Sequence, residues 1–250
     1  MVTLKLIACL VSIVALGLYY NNYRQIPEEM VLVEQKLTLW LSVTLVMYND
    51  PFYWLVVYSP NLLSVLFTAI SNNFFNYSLV YFWLVLFERI QKENAQKSTA
   101  ADQFWKKLLL AFMIVVSVLA DTLQGMMFAT DPGFQIEEEY TWIWVFDSWV
   151  VFGVIALSYL YILSNVYKGM LKWKQLLGRH QVIFNFSLLF MAAQFVYICF
   201  EENHINFEVP KLALVIVTIS NIYVIAAQYF YSLAPEGFEG NLFLISLIQF

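Results

Sequence analysis

Asp50, Asp121 and Asp147 are the side chains best equipped to bind something, because each falls within or at the end of a long apolar run with no lysine or arginine near it in the sequence. A charge at the centre of a bilayer costs about 2.5–3.5 kcal/mol on insertion scales. Each carboxyl must therefore be protonated, lie near the membrane surface, or face a polar cavity. Helical spacing favours the cavity. Ser117, Asp121 and Gln124 follow at intervals of four and three, and Asp147 and Ser158 are eleven apart. His180, Ser187 and Gln194 recur every seven, and Thr218, Asn221, Gln228 and Ser232 form a further stripe. Such stripes predict four helices turning polar faces away from lipid. They outline an outward-facing amphipathic cavity with Asp121 and Asp147 near its mouth, and the ligand-contact candidates are Asp121, Gln124, Asp147, Gln194, Asn221 and Gln228. The plainer alternative is that the same groups are hydrogen-bonding glue between helices.

A second local motif is Tyr48-Asn49-Asp50-Pro51-Phe52. Pro51 has no backbone N–H and frees the carbonyl of Met47, so a helix bends or stops there, with Asn49 or Asp50 able to satisfy the exposed groups. Asn49, Asp50 and Pro51 are thus expected to form a hinge or helix terminus first and a ligand site second. Glu88-Arg89 reads as an interfacial ion pair.

Other chemistry is sparse. His180 and His204 are the two histidines, and they fall at opposite ends of the helices predicted below, so they cannot share a metal or a haem. No Gly-rich phosphate loop, nucleophile elbow or spaced Cys pair occurs. Cys9 and Cys199 lie inside apolar runs and read as packing residues. No catalytic residue, metal ligand or cofactor is expected, and the chain is read as non-enzymatic.

The elements that must position these groups are helices in lipid. Of 250 residues 61% are hydrophobic and only 12% charged, where a water-soluble domain carries about 25% charged residues to wet its surface. A nucleic-acid partner is excluded, since no basic patch exists with a surface to display it. Backbone groups in hydrocarbon must be satisfied internally, and nothing alternates like a barrel strand, so the fold class is all-α: a polytopic, receptor-like bundle of seven transmembrane helices. The runs are Thr3 to Tyr20, Leu37 to Tyr58, Phe67 to Phe87, Leu108 to Phe128, Trp142 to Leu163, Val182 to Phe200 and Leu212 to Tyr231. Asn72-Asn73 interrupts the third near its start, and a shorter second helix followed by an apolar loop is the alternative at Pro51.

Eleven of the 13 Lys and Arg residues fall in the first, third and fifth connections, with Arg89, Lys92, Lys97, Lys106 and Lys107 in the third. The positive-inside rule then puts the N-terminus outside or in the lumen and the C-terminus in the cytosol, with Lys5 as one exposed exception. Residues 1–235 form the seven-helix domain. The tail 236–250 includes Leu242 to Ile248, too short to span, and is expected at the interface or docked on a partner.

The order of landmarks resembles the seven-helix region of the Wntless family, whose members join a luminal β-sandwich to a receptor-like bundle. Glu34-Gln35-Lys36 opens the second helix, Asn49-Asp50-Pro51-Phe52 is similar to the family's Asn-Asn/Asp-Pro-Phe/Leu signature, and Phe82-Trp83-Leu84 falls at the matching place on the third. Asp131-Pro132 follows the fourth helix, and Tyr231-Ser232 with Pro235 resembles the end of the seventh. The resemblance covers Cys9 to Pro235. It implies a lipid-accessible cavity that in Wntless accepts the acyl chain of a secreted cargo protein, and residence in Golgi, endoplasmic reticulum or plasma membrane rather than the mitochondrial inner membrane. The luminal β-sandwich is expected to be missing, as only Met1 and Val2 precede the first helix. The resulting expectation is a protein that binds membrane lipids or a lipidated cargo protein and assists its trafficking. The alternatives are an accessory subunit packed against neighbouring membrane subunits, and a signalling receptor.

Overall fold

The computed structural model describes residues 2–27, 31–50, 58, 61–91, 100–130, 152–171, 178–203 and 209–232, and among them the chain forms seven α-helices and no strand. They are α1 (Val2–Tyr23), α2 (Val33–Tyr48), α3 (Leu62–Gln91), α4 (Ala100–Thr130), α5 (Phe152–Leu171), α6 (Gly178–Asn203) and α7 (Val209–Ser232). Each overlaps one of the seven apolar runs, α5 only over the second half of its run, from Phe152 to Leu163. Three are long and apolar enough to cross a membrane by themselves: α1, α4 over Phe104–Met127, and α7 over Val215–Ser232. α6 carries a shorter apolar stretch, Gln181–Gln194. Large apolar side chains stand exposed along α1 (Leu6, Leu10, Val14, Leu18) and α4 (Leu108, Phe112, Val115, Leu119), as expected of faces solvated by acyl chains.

α2 departs from the expected boundaries. It begins at Val33, where the Gln35 side chain accepts the Leu32 backbone N–H at 2.9 Å, the reciprocal half of a capping box. It stops at Tyr48 rather than continuing to Tyr58. Asn49 N–H still reaches the Leu45 carbonyl at 3.0 Å, but Asp50 N–H turns back to the Met47 carbonyl at 2.8 Å. Asp50 takes φ of 45°, a left-handed conformation that Asp tolerates better than most residues. The carbonyl that Pro51 cannot satisfy in a continuing helix is thus already taken. Pro51 itself lies outside the described residues.

α3 starts earlier than expected and does not break at Asn72-Asn73. Its N-terminus is capped reciprocally: Ser64 N–H donates to Asn61 Oδ1 at 3.0 Å, and Asn61 N–H to Ser64 Oγ at 3.1 Å. Asn73 donates its side-chain N–H to the Ala69 carbonyl one turn back, at 3.0 Å, so its amide is absorbed by the helix it was expected to interrupt. α4 includes Lys106 and Lys107, which the sequence assigned to a connection. The loop ahead of it, the segment holding Asp147 and the tail from 236 lie outside the described residues.

α3 is the central strut. It packs against α2, α4, α5 and α6, while α2 and α7 pack on each other and on α1, and α6 on α7. α1 to α4 run antiparallel to their neighbours in sequence. The ion pairs Arg89–Glu34 and Lys106–Glu88 join the C-terminal end of α3 to the N-terminal ends of α2 and α4, and the Lys106 ammonium lies 5.7 Å from the Tyr161 ring on α5. Glu88 and Arg89 therefore pair across helices and not with each other. Arg89, Lys106 and Lys107 gather at this basic end.

Trp83, fully buried on α3, is the middle of the core. Its indole N–H donates to the Tyr223 hydroxyl of α7 at 2.9 Å, and that hydroxyl also shares a 2.8 Å hydrogen bond with Ser187 of α6. Phe190 stacks on Tyr223 at 4.3 Å and Phe186 at 5.5 Å. Three helices meet through one satisfied hydroxyl inside an aromatic cluster, which lets aromatic bulk pack without leaving a polar atom orphaned.

Candidate functional site

Two polar assemblies occupy the half of the bundle away from the basic end. In the first, α3 and α4 face each other across a seam of side-chain pairs one helical turn apart. Tyr77 and Ser117 hydroxyls share a hydrogen bond of 2.6 Å, and one turn further out Asn73 Nδ2 donates to Asp121 Oδ2 at 2.6 Å. The spacing follows from i,i+4 geometry on two antiparallel helices: 73 and 77 on one, 117 and 121 on the other. Another turn out, the helices approach closely at Gly125, where an added Cβ would lie 2.7 Å from Val65 Cγ1. Tyr77, Ser117 and Asn73 are buried, yet Asp121 is exposed, and so is Asn76 on α3.

Among the described residues α4 and α5 each pack extensively on α3 alone, meeting each other where Lys106 lies over Tyr161. A carboxylate that is hydrogen-bonded on one side and open on the other can accept a further donor.

The second assembly ties α1, α2 and α7 together around the end of α2. Asn49 Nδ2 has three acceptors in range of its two hydrogens, Asn221 Oδ1 at 2.9 Å, Ser12 Oγ at 3.1 Å and the Ala8 carbonyl at 3.2 Å, so one hydrogen is shared. Asn221 Nδ2 donates back to Asn49 Oδ1 at 2.9 Å and to its own Val217 carbonyl at 2.8 Å. Beside this amide pair, Asp50 accepts a 2.7 Å hydrogen bond from Thr68 of α3. Lys5 of α1 is buried, 8% exposed, with its ammonium in Coulombic reach of the Asp50 carboxylate. The absence of any nearby cation, inferred from the sequence, is therefore corrected for Asp50: its counter-charge comes from a helix 45 residues away. Lys5 is also not the exposed charge expected of it.

Toward the basic end the same three helices are fastened by Tyr19 Oη donating to the Gln35 carbonyl at 3.0 Å, Gln35 Nε2 to the Tyr231 carbonyl at 3.0 Å, and Gln228 Nε2 to Ser42 Oγ at 2.8 Å. Gln228 and Asn221 thus bond α2, whereas Asp121 bonds α3, and the structure does not bring these three candidates together. Gln194 is half-buried on α6. Thr218, placed on the polar stripe of α7, is exposed, and Ser232 caps back onto its own Tyr229 carbonyl at 2.8 Å. Asp147 and the side chain of Gln124 lie outside the described residues, as do the side chains of His180 and His204.

Sequence reasoning missed Lys5, Thr68, Asn73 and Tyr77. A usable signal existed for the last two: an i,i+4 polar pair on one helix matching an i,i+4 pair, Ser117 and Asp121, on the next. None existed for Lys5, which stands alone in its run. Among the described residues, no three His, Cys, Asp or Glu side chains lie close enough to hold a metal.

An all-helical bundle with self-sufficient spanning helices, lipid-facing apolar surfaces and internal polar seams is an integral membrane protein. Its family is also defined: residues 1–235 match the family described as Wntless-like, transmembrane domain, and the chain belongs to it. No curated protein and no solved structure matches the chain.

Proposed function

We propose that this member of the Wntless-like family is a non-enzymatic carrier that receives a lipid, or the lipid chain of a cargo protein, beside the seam between α3 and α4 in secretory-pathway membranes. The observation that carries the reading is Asp121: an exposed acid in a spanning helix, bonded to buried Asn73. Acyl chains gain little by moving from bilayer to protein, so a carrier needs a polar contact to hold its ligand selectively. Asp121 and Asn73 supply one. The exposed apolar face of α4, with Leu119 and Leu123 on either side of Asp121 in sequence, supplies the acyl-compatible wall.

In this reading the basic end faces the cytosol, as the asymmetry of Lys and Arg requires, and the Asp121 half faces the lumen. Native mass spectrometry of the gently extracted protein tests the proposal. A free species with co-purified lipid, reduced on Asp121→Asn, is the expected result. Comigration with a large complex and no bound lipid would instead favour the accessory-subunit reading.

A further inference from the structure

We infer that the bundle binds water at the C-terminal end of α2, in a niche where Ser71 of α3 and Ser220 of α7 share it. Both serines are fully buried, at 0% exposure, and among the described residues neither hydroxyl has a hydrogen-bond partner. Buried hydroxyls left unpaired are rare in folded proteins, and bound water is the common remedy. Serines inside helices also satisfy themselves by donating to a carbonyl one turn back, as Ser42 does to Thr38 at 2.6 Å and Ser12 to Cys9 at 2.8 Å. Ser71 and Ser220 do not.

Their places on α3 and α7 bring them to one turn of α2. Thr68 donates to Asp50 at 2.7 Å, and Phe75 stacks on Tyr48 with ring centroids 4.5 Å apart. Ser71 lies between Thr68 and Phe75 on the same helical face, so it looks onto the turn that holds Tyr48 and Asp50. Ser220 directly precedes Asn221, whose amide pairs with Asn49 in that turn. One helical turn to either side of Ser220 stand Val217 and Val224, both buried, which turns the serine to the interior. The turn itself has an acceptor to spare. In a continuing helix the Asp50 N–H would reach the Val46 carbonyl, but it goes to Met47 at 2.8 Å, and the Val46 carbonyl loses its helical donor.

Charge and size name the guest. Asp50 already has the Lys5 ammonium in Coulombic reach and the Thr68 hydroxyl as a donor, so a metal ion would bring charge into an apolar span with nothing left to balance it. An anion would meet the Asp50 carboxylate. Leu45, Asn49, Asp50 and Val224 around the niche are all 0–1% exposed, which restricts the guest to a small molecule. Water is small and neutral, and it both donates and accepts, as a freed carbonyl and two hydroxyls require.

The test is a double-variant cycle on the full chain, Ser71→Ala and Ser220→Ala, read by unfolding with sodium dodecyl sulfate in mixed micelles. Each single variant is expected to lower the folded-to-unfolded ratio about fivefold, the size of one ordinary hydrogen bond. The double variant is expected to lose much less than the product of the two, because either change already takes a partner from the shared water. Losses that multiply overturn the inference by giving each hydroxyl a partner of its own. A single variant as stable as the wild type, or more so, overturns it as well, since removing an idle or back-bonded hydroxyl costs nothing. Water-edited solid-state NMR of the wild-type protein, with ¹³C-labelled serine in bilayers, needs no variant. Ser71 and Ser220 are expected to receive magnetisation from water, whereas Ser187, equally buried but bonded to Tyr223, stays dark. Ser71 and Ser220 as dark as Ser187 would leave the niche dry and the inference wrong.

Discussion

The reciprocal amide pair between Asn49 and Asn221 makes a quantitative prediction about how the α1–α2–α7 half of the bundle is held. Asn49 is fully buried and Asn221 is 8% exposed. Asn221→Ala removes two interhelical hydrogen bonds, each 2.9 Å long, and leaves Asn49 Oδ1 without its donor. Hydrogen bonds between transmembrane helices average about 0.6 kcal/mol, so the pair contributes about 1.2 kcal/mol. The orphaned buried acceptor adds about 1 kcal/mol, for a loss of about 2 kcal/mol. Asn49→Ala also removes the contacts to Ala8 and Ser12 that fasten α1, and is expected to cost about 3 kcal/mol by the same reckoning. The double variant should fall short of the sum by at least about 1 kcal/mol, because each single change already breaks the shared bonds. Unfolding by sodium dodecyl sulfate in mixed micelles, followed by tryptophan fluorescence, measures all four corners of the cycle. Additivity within about 0.3 kcal/mol would refute the pairing.

Two further outcomes follow from the same geometry. Lys5→Met should destabilise by about 3 kcal/mol because it strands the buried Asp50 carboxylate, and adding Asp50→Asn should recover most of the loss, whereas Lys36→Met, exposed on α2, should change the unfolding midpoint little. Gly125→Ala places a Cβ 2.7 Å from Val65 Cγ1, so α4 is expected to shift off α3 at a cost of about 1–3 kcal/mol; Val65→Ala should relieve it, and unchanged thermal stability of Gly125→Ala would contradict the close approach.

Composition and periodicity determined the broad architecture, because the physics involved is local or one-dimensional. A run of about 20 apolar residues must be helical in lipid. Proline after Asn49-Asp50 removes a backbone donor wherever it stands, so that helix had to yield there. Charge counted by connection predicts which ends share a side of the membrane, and the ion pairs Arg89–Glu34 and Lys106–Glu88 join the ends of α2, α3 and α4. Stripes on single helices likewise marked Ser117, Asp121, Ser187, Asn221 and Gln228 as inward or seam residues.

Which stripe meets which was decided only in three dimensions. Asn221 and Gln228 are consumed by α2, and Ser187 by Tyr223, while Asp121 faces Asn73 and stays open, a division that no spacing within one helix encodes. Asn72-Asn73 reads as a break in sequence but not in the fold, since Asn73 finds the Ala69 carbonyl and Asp121 as partners that keep its helix intact. Lys5 is the sharpest case. An isolated cation near a chain terminus reads as exposed, and only the packing of α1 against the end of α2 brings it to Asp50, where burial and a neighbouring opposite charge change what the residue does.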